Sequence, residues 1–426
     1  MSIIDDLLKP IPLPRMIRVK QRFERRQIEN IEETLSSKIA DNPEYGSIKP
    51  GMRIAIAVGS RGITNLPLCV KIIVEMVRSK GADPFIVPAM GSHGGATASG
   101  QEDMLMTMGI REAYVGAPIR ATMETMDLGQ TAKNRLPVVI DRYAHEADGI
   151  VIINRIKPHV AFQGTYESGL MKMITIGLGK QRGAENCHRL GFGTMAENIR
   201  EIAESVIQKQ NILFAVGIIE NAYHQTYALE VMGKHEIAAR EPDMLLLAKK
   251  LAPRLYFDQL DVLIMDEIGK DISGTGFDTS VVGRYHTPYI SGGPVITRIG
   301  VLDLTERSHG NANGIGIVDF TTRRLFDKFI PEQTYPNSLT STVPISVKIP
   351  MVLASDLLLI KAAIKTCQIP DFKQVRLVRF KNTIALDEIE ISENLLTEAE
   401  QSDQMEVLTS PYNWEFDDAG NFNCPV

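Results

Sequence analysis

Lys172 and His188 stand sixteen residues apart in Ser168-Gly-Leu-Met-Lys-Met-Ile-Thr-Ile-Gly-Leu-Gly-Lys-Gln-Arg-Gly-Ala-Glu-Asn-Cys-His188, and upstream lie Lys157-Pro-His159 and Gly91-Ser-His93-Gly-Gly95. Histidine exchanges protons near neutral pH and is the commonest transition-metal ligand. A desolvated lysine serves as a nucleophile or a covalent anchor. Three of the eight histidines therefore sit beside glycine, proline or other small or polar residues, in segments that read as strand ends followed by turns. That is where α/β proteins place ligand-binding groups. A shared site for His93, His159 and His188 stands beside the bland reading of unrelated surface or core imidazoles. The spacing fits none of the zinc patterns built from closely paired Cys and His. Cys187 reads as a small buried filler or, beside His188, as a soft ligand.

Gly59-Ser60-Arg61-Gly62 offers backbone amides, a hydroxyl and a guanidinium at a strand-to-helix turn. Such a turn suits a phosphate or carboxylate, because a helix N-terminus carries partial positive charge and free N–H groups. Gly94 and Gly95 would let a ligand approach His93 closely. Pro158 fixes the backbone beside His159. Ser168-Gly169 leaves room for a bulky group beside Lys172.

The elements that must hold these residues follow a strand–loop–helix rhythm, the mark of an α/β layer with parallel strands. Arg53 to Val58 and Pro84 to Pro88 read as buried strands. Leu66 to Lys80 has helical apolar spacing and stops at Gly81. Ser99-Gly-Gln-Glu102 has the form of a capping box. Further strands are expected at Leu136–Ile140, Gly149–Ile153, Ile212–Ile219, Asp261–Met265 and Val295–Val301. Helices are expected at Met195–Lys209, Pro242–Leu255, Thr321–Phe329 and Ser355–Cys367. With 426 residues, two domains are the default. The expectation is two α/β domains with a cofactor and substrate cleft between them. Residues 1–256, with a returning tail of about 390–426, would form the catalytic, cofactor-anchoring domain, and 257–389 a domain closing over the substrate.

A net charge of −6 argues against nucleic acid as the main partner. Four cysteines without pattern give neither a disulfide framework nor a thiolate metal site. The acidic start Met1-Ser-Ile-Ile-Asp-Asp-Leu-Leu-Lys9 lacks a signal-peptide pattern. The apolar stretch Met351 to Ile364 is interrupted by Asp356 and Lys361 and is too short to span a bilayer. A soluble, cytoplasmic protein without a membrane partner is expected, and a homo-oligomer is allowed.

Over residues 50–195 the chain resembles the nickel-dependent lactate racemase and its relatives among the 2-hydroxy acid racemases and epimerases. The resemblance implies a nickel-pincer nucleotide, a pyridinium mononucleotide with two sulfur-bearing arms. In the family it is tethered through a thioamide to a lysine, and its nickel is also bound by a histidine sixteen residues later. Lys172 and His188 match that pair. His93 and His159 are similar to the two family histidines that alternate as acid and base on opposite faces of the substrate. Arg61 resembles the arginine that holds the substrate carboxylate, and Ser60, Gly94 and Gly95 fall where cofactor contacts are expected. The chain departs from the family in three places. Its Asp-x-Thr-Arg-Pro-like turn is Val58-Gly-Ser-Arg-Gly62 here. His159 lies thirteen residues before Lys172, a wider interval than in the lactate enzyme. The second-domain Gln and Lys have no clean match, with Lys270 and Arg284 as candidates.

The resemblance thus implies an isomerase that inverts C2 of a 2-hydroxy acid. Direct deprotonation beside an ionised carboxylate is very unfavourable. Hydride removal is easier when a base takes the hydroxyl proton, and returning the hydride to the other face then needs a second base. The substrate would be lactate-like or, from the polar Asp271-Ile-Ser-Gly-Thr-Gly276 segment, a more hydroxylated sugar acid. The expected partners are that small molecule and the enzymes that make the pincer. A metal-dependent hydrolase and a non-catalytic pincer-nucleotide-binding protein are the alternatives.

Overall fold

A computed structural model describes residues 3–60 and 62–423. The chain divides into two compact units, Glu24–Ala252 and a second made of Met1–Phe23 with Pro253–Val426. Strand β1 (Met16–Gln21) belongs to the second. The unit Glu24–Ala252 carries β2 (Arg53–Val58), β3 (Asp83–Pro88), β4 (Thr125–Gln130), β5 (Pro137–Asp141), β6 (Gly149–Arg155), β7 (Ile212–Glu220) and β8 (Thr226–Gly233). Five of these form one sheet in the order β3-β2-β6-β7-β8. The first four are mutually parallel and β8 runs antiparallel at the edge.

The parallel strands are buried apolar runs, as two-sided coverage demands. Ile54 to Val58 and Ile212 to Glu220 have no exposed position. The helix after β2, Leu66–Ser79, buries Leu66, Cys69, Val70, Ile72, Ile73, Val74 and Val77 in the same core. The helix Met195–Lys209 has the expected bounds. The strand expected at Leu136–Ile140 forms as β5 but pairs only with β4, in a separate two-stranded sheet. No residue of β4 is buried, so it cannot serve as a strand covered on both faces.

Two helix starts differ from the sequence reading. The helix expected from Ser99 is Ala98–Thr107, capped by Thr97, whose hydroxyl accepts from Gly100 N–H at 3.1 Å. The helix expected from Pro242 begins at Ile237 and runs to Leu251 with Pro242 inside it. Proline has no N–H to offer the carbonyl four residues back. The Tyr166 hydroxyl supplies that bond instead, donating to Ala238 O at 2.7 Å. This compensation comes from a residue 72 positions away, which local sequence could not reveal.

The second unit holds β1 with β9 (Gln259–Ile268), β10 (Val295–Leu304), β11 (Phe320–Thr322), β12 (Met351–Leu353), β13 (Leu377–Phe380), β14 (Glu388–Ser392) and β15 (Met405–Val407). They form an eight-stranded sheet in the order β12-β11-β10-β9-β13-β14-β1-β15. The run from β12 to β13 is parallel, and β14, β1 and β15 are antiparallel to their neighbours. Thr321 and Thr322, expected to begin a helix, are used with Phe320 as strand β11, so that helix is Arg323–Lys328.

The returning tail is corrected. Residues 390–426 belong with Pro253 onward, and residues 1–23 join them. The cause is β1, whose Met16, Ile17 and Val19 are fully buried while it bridges β14 and β15. The tail also satisfies buried charge. Arg379 holds Asp266 in two bonds at 2.7 and 3.0 Å and Glu390 at 3.0 Å. Tyr412 and Trp414 donate to Glu390, and the Phe422 ring lies 3.5 Å from the Arg379 guanidinium carbon. The boundary accordingly falls at 252/253 rather than 256/257. Among the described residues no helix is long and apolar enough to cross a membrane.

Tyr166→Phe keeps the ring and removes the donor that serves the Ala238 carbonyl. We expect it to lower unfolding stability by about 1–3 kcal/mol, the cost of stranding a buried acceptor, in urea denaturation.

Candidate active site

The carboxyl ends of β2, β3 and β6 lead into Gly59-Ser60, Ala89 to Gly95 and Ile156 to Gly169. This edge of a parallel sheet is where such folds bind ligands. All three turns touch the stretch that carries Lys172. Asn154, near the end of β6, donates to Gly169 O at 3.0 Å. A Cβ added at Gly59 would lie 3.1 Å from Asn154 Oδ1 and 3.8 Å from Met173 Sδ. Gly91 N–H donates to Gly177 O at 3.1 Å. Gly91 has φ +59°, and a Cβ there would press on Ile176 at 3.1 Å.

Lys172 ends the short helix Leu170–Lys172, which runs directly into a π-helical turn, Met173–Gly177. Leu178 N–H closes the wider ring on Met173 O at 2.9 Å. Such turns mark functional sites because they rotate a few side chains off the regular helical path. The helix start is held by Glu241, a buried carboxylate that accepts from the Leu170 N–H and from Met171 N–H, the latter at 2.8 Å. Its close approach needs the bare backbone of Gly169, since a Cβ there would collide with the Glu241 carboxylate.

The three imidazoles differ in the partner of Nδ1. In His93, Nδ1 lies 2.7 Å from Met90 O, and in His188 it lies 2.7 Å from Ala184 O. A carbonyl only accepts, so both Nδ1 atoms carry the proton and both Nε2 atoms present a lone pair when the ring is neutral. In His159, Nδ1 instead accepts from Ala161 N–H at 3.1 Å, which puts the neutral ring's proton on Nε2. Burial, and secondarily the nearby Lys172 ammonium, hold His188 below the usual imidazole range. That keeps it neutral, as a metal ligand must be.

His159 is set in a loop organised by Glu167, which is fully buried. Glu167 accepts from His159 N–H at 2.8 Å and from Gly164 N–H at 3.1 Å, and pairs with Lys249 at 2.6 Å. Phe162 lies 4.4 Å from the His159 ring. Phe192 lies 6.1 Å from His159 and meets His188 edge-on at 5.6 Å. His159, His188, Phe162 and Phe192 are thus one cluster.

The sequence candidates divide as follows. Arg61 lies outside the described residues. Ser60 is half-buried at the end of β2. Gly94 is needed by packing, since a Cβ at its φ of +65° would strike the Gly100 backbone at 2.6 Å. Gly95, with φ +64°, has open space on that side and is the one a ligand could approach. Cys187 is a buried filler. Its Sγ lies 3.4 Å from Met195 Sδ, and burial pushes its thiol up to about 12, far from the thiolate a metal needs.

In the second unit, Lys270 Nζ donates to Gly274 O at 2.8 Å and Asn337 Oδ1 at 2.9 Å, within a polar group that includes Asn311. Arg284, the other substrate candidate, is held within its own unit. Its guanidinium pairs with Asp319 at 2.5 Å and donates to Ile296 O and Thr297 O, each at 3.0 Å. Glu167, Glu241, Phe162 and Phe192 were passed over in the sequence. Only the aromatics, three or four positions after His159 and His188, left a local signal.

His93 and His159 stand on strand-end turns of a parallel layer, and Lys172 and His188 on the helical stretch beside them, at the sheet edge where α/β folds bind small molecules. Residues 10–200 match the lactate racemase N-terminal domain. No curated protein matches the chain. Among solved structures it is similar to the lactate racemase apoprotein from Thermoanaerobacterium thermosaccharolyticum, at 13% identity and a TM-score of 0.53. That similarity covers 87% of this chain and 99% of the other, and it supports the two-unit α/β fold.

Two measurements test the site's electrostatics. Burial pushes the Glu241 carboxyl from 4.5 up to about 7. The folded state therefore keeps this proton to higher pH than the unfolded state, and the group costs stability as pH rises from about 4.5 to about 7, then no more. Urea denaturation of Glu241→Gln across that window should show a flatter pH dependence than the parent. Nitrogen-15 spectra of the neutral histidines should assign the proton to Nδ1 in His93 and His188 and to Nε2 in His159. The reverse pattern at His159 would show that the Ala161 contact does not set its tautomer.

Proposed function

We propose that this chain is a racemase or epimerase that inverts C2 of a 2-hydroxy acid, with a nickel-pincer nucleotide tethered at Lys172 and its nickel bound by His188. The observation that carries the reading is the state of His188, held neutral by burial with Nδ1 given to Ala184 O, so that Nε2 alone is offered to a metal. Fixing the second ring nitrogen in this way is typical of histidine ligands. The match of residues 10–200 to the lactate racemase N-terminal domain supports the same reading. Among the described residues no group of three or more His, Cys, Asp or Glu is gathered that could hold a metal ion. One histidine suits a metal whose other ligands arrive with an organic group, and this weighs against the hydrolase alternative.

When bound, the pincer supplies a reversible acceptor for the C2 hydrogen as hydride. The chain's own residues supply the proton chemistry. His93, with its Nε2 lone pair, takes the substrate hydroxyl proton, which leaves a neutral 2-keto acid rather than a second negative charge beside the carboxylate. His159 would return the proton to the keto oxygen as an imidazolium, since the N–H of a neutral imidazole is too weak an acid to be given up. The roles exchange in the reverse direction. Phe162 and Phe192 exclude water beside His159, which protects the keto acid. Arg61 is the proposed carboxylate holder, since a guanidinium can make two parallel charge-assisted bonds to it. Ser60 and Gly95 are proposed cofactor contacts, and Lys270 remains a candidate for a substrate contact. The substrate is a lactate-like or more hydroxylated 2-hydroxy acid, and the partners include the enzymes that make the pincer.

Protein produced together with the pincer-synthesis enzymes should carry a nucleotide-sized mass on the peptide containing Lys172. Lys172→Ala should lose that mass and His188→Ala most of the nickel. Survival of the adduct in Lys172→Ala would overturn the anchor. Loaded protein given a C2-deuterated substrate should return inverted product with the label kept, because a held hydride does not exchange with water. Washout of the label would point to a carbanion route. Bound nickel without turnover of any 2-hydroxy acid would favour a non-catalytic binding protein.

A further inference from the structure

Lys180 stands midway between Lys172 and His188, and it is fully buried although it is a lysine. It also adopts φ +56°, a left-handed conformation unusual outside glycine. Its ammonium makes two hydrogen bonds and one ion pair, each to a different element. It donates to Pro88 O at the end of β3, to Gln101 Oε1 at 3.0 Å on the helix Ala98–Thr107, and pairs with Asp141 at 3.0 Å at the end of β5. Gln101, itself fully buried, passes the connection on. Its Nε2 donates to Gly91 O at 2.8 Å and to His93 O at 3.2 Å.

Burying a lysine and an aspartate together is weak evidence for stability, since well-packed apolar residues would do as well or better. A hub bonded to Pro88 O just before the His93 turn and, through Gln101, to Gly91 O and His93 O within it has another use. We propose that Lys180 is a positioning residue that sets the His93 turn, Ala89 to Gly95, in register with the segment from Lys172 to His188. Its catalytic meaning rests on the proposed acid–base role of His93. The placement itself is a property of the protein without cofactor.

The test is made first on protein without cofactor, by hydrogen exchange. Lys180→Met removes the donors and keeps the stem. Amides of residues 91–97 should exchange roughly tenfold faster or more, as expected when a local opening is made easier, while β6 and β7 keep their protection. Gln101→Met cuts only the link to the turn and should give the same local effect with the Lys180–Asp141 pair intact. Removing both charges in Lys180→Met/Asp141→Asn should restore global stability relative to Lys180→Met, because no uncompensated buried charge remains. It should not restore protection of the turn. A uniform rise in exchange over the whole unit, or an unchanged turn in Gln101→Met, would reduce Lys180 to a structural residue. If Lys180→Met does not fold, the Gln101→Met result alone decides.

On loaded protein, Gln101→Met should lower kcat for inversion with cofactor mass and KM kept. Loss of protection in the turn without any parental inversion would leave the positioning assignment standing and overturn the proposed function. Parental inversion with an unmoved turn would do the opposite.

Discussion

Val58 lies opposite Pro88 on one side and Ile153 on the other, so β2 and β3 end level with one another and β6 runs on to Arg155. Everything at the candidate site depends on that shared register. The turns that leave these strands begin on one edge of the sheet and converge on one segment. A slip of one residue in any strand would move its turn along the sheet and turn its apolar side chains to the opposite face. The continuous burial of β2 and β7 prevents this, because each displaced apolar side chain would cost about 1.5–3 kcal/mol of burial.

Strand register alone would leave the turns loose. Buried polar groups make them definite. Glu167 organises the loop of His159, Glu241 holds the helix of Lys172, and Gln101 reaches the carbonyls around His93. Each accepts from or donates to backbone, and backbone bonding fixes main-chain position more directly than contact between side chains. In a low-dielectric interior an unmet donor or acceptor is expensive, so these connections tolerate little displacement. The glycines at 91 and 169 follow from the same demand, since only bare backbone permits such close approach there.

The imidazoles show how small differences of backbone contact set chemical role. Two rings face carbonyls and one faces an N–H, and that alone inverts which ring nitrogen holds the proton. The asymmetry separates rings that present a lone pair at Nε2 from one that presents an N–H there, without any difference in residue type.

The sequence by itself carried most of the fold and singled out the candidate site residues. Buried strands at 53–58 and 84–88 and the helix at 195–209 were legible because apolar periodicity is local information. Lys172, His188, His93 and His159 were legible because their types and their glycine and proline neighbours are unusual. Other features needed the tertiary structure. Tyr166 rescues the carbonyl that Pro242 strands, β1 draws the first residues into the second unit, and Arg284 is held by Asp319 and two carbonyls. Gln101, Lys180 and Asp141 meet only when three elements are brought together. In each case a polar group finds its partner far along the chain. Apolar patterning reports which face of an element is buried, while the pairing of buried polar atoms is decided only when the elements pack.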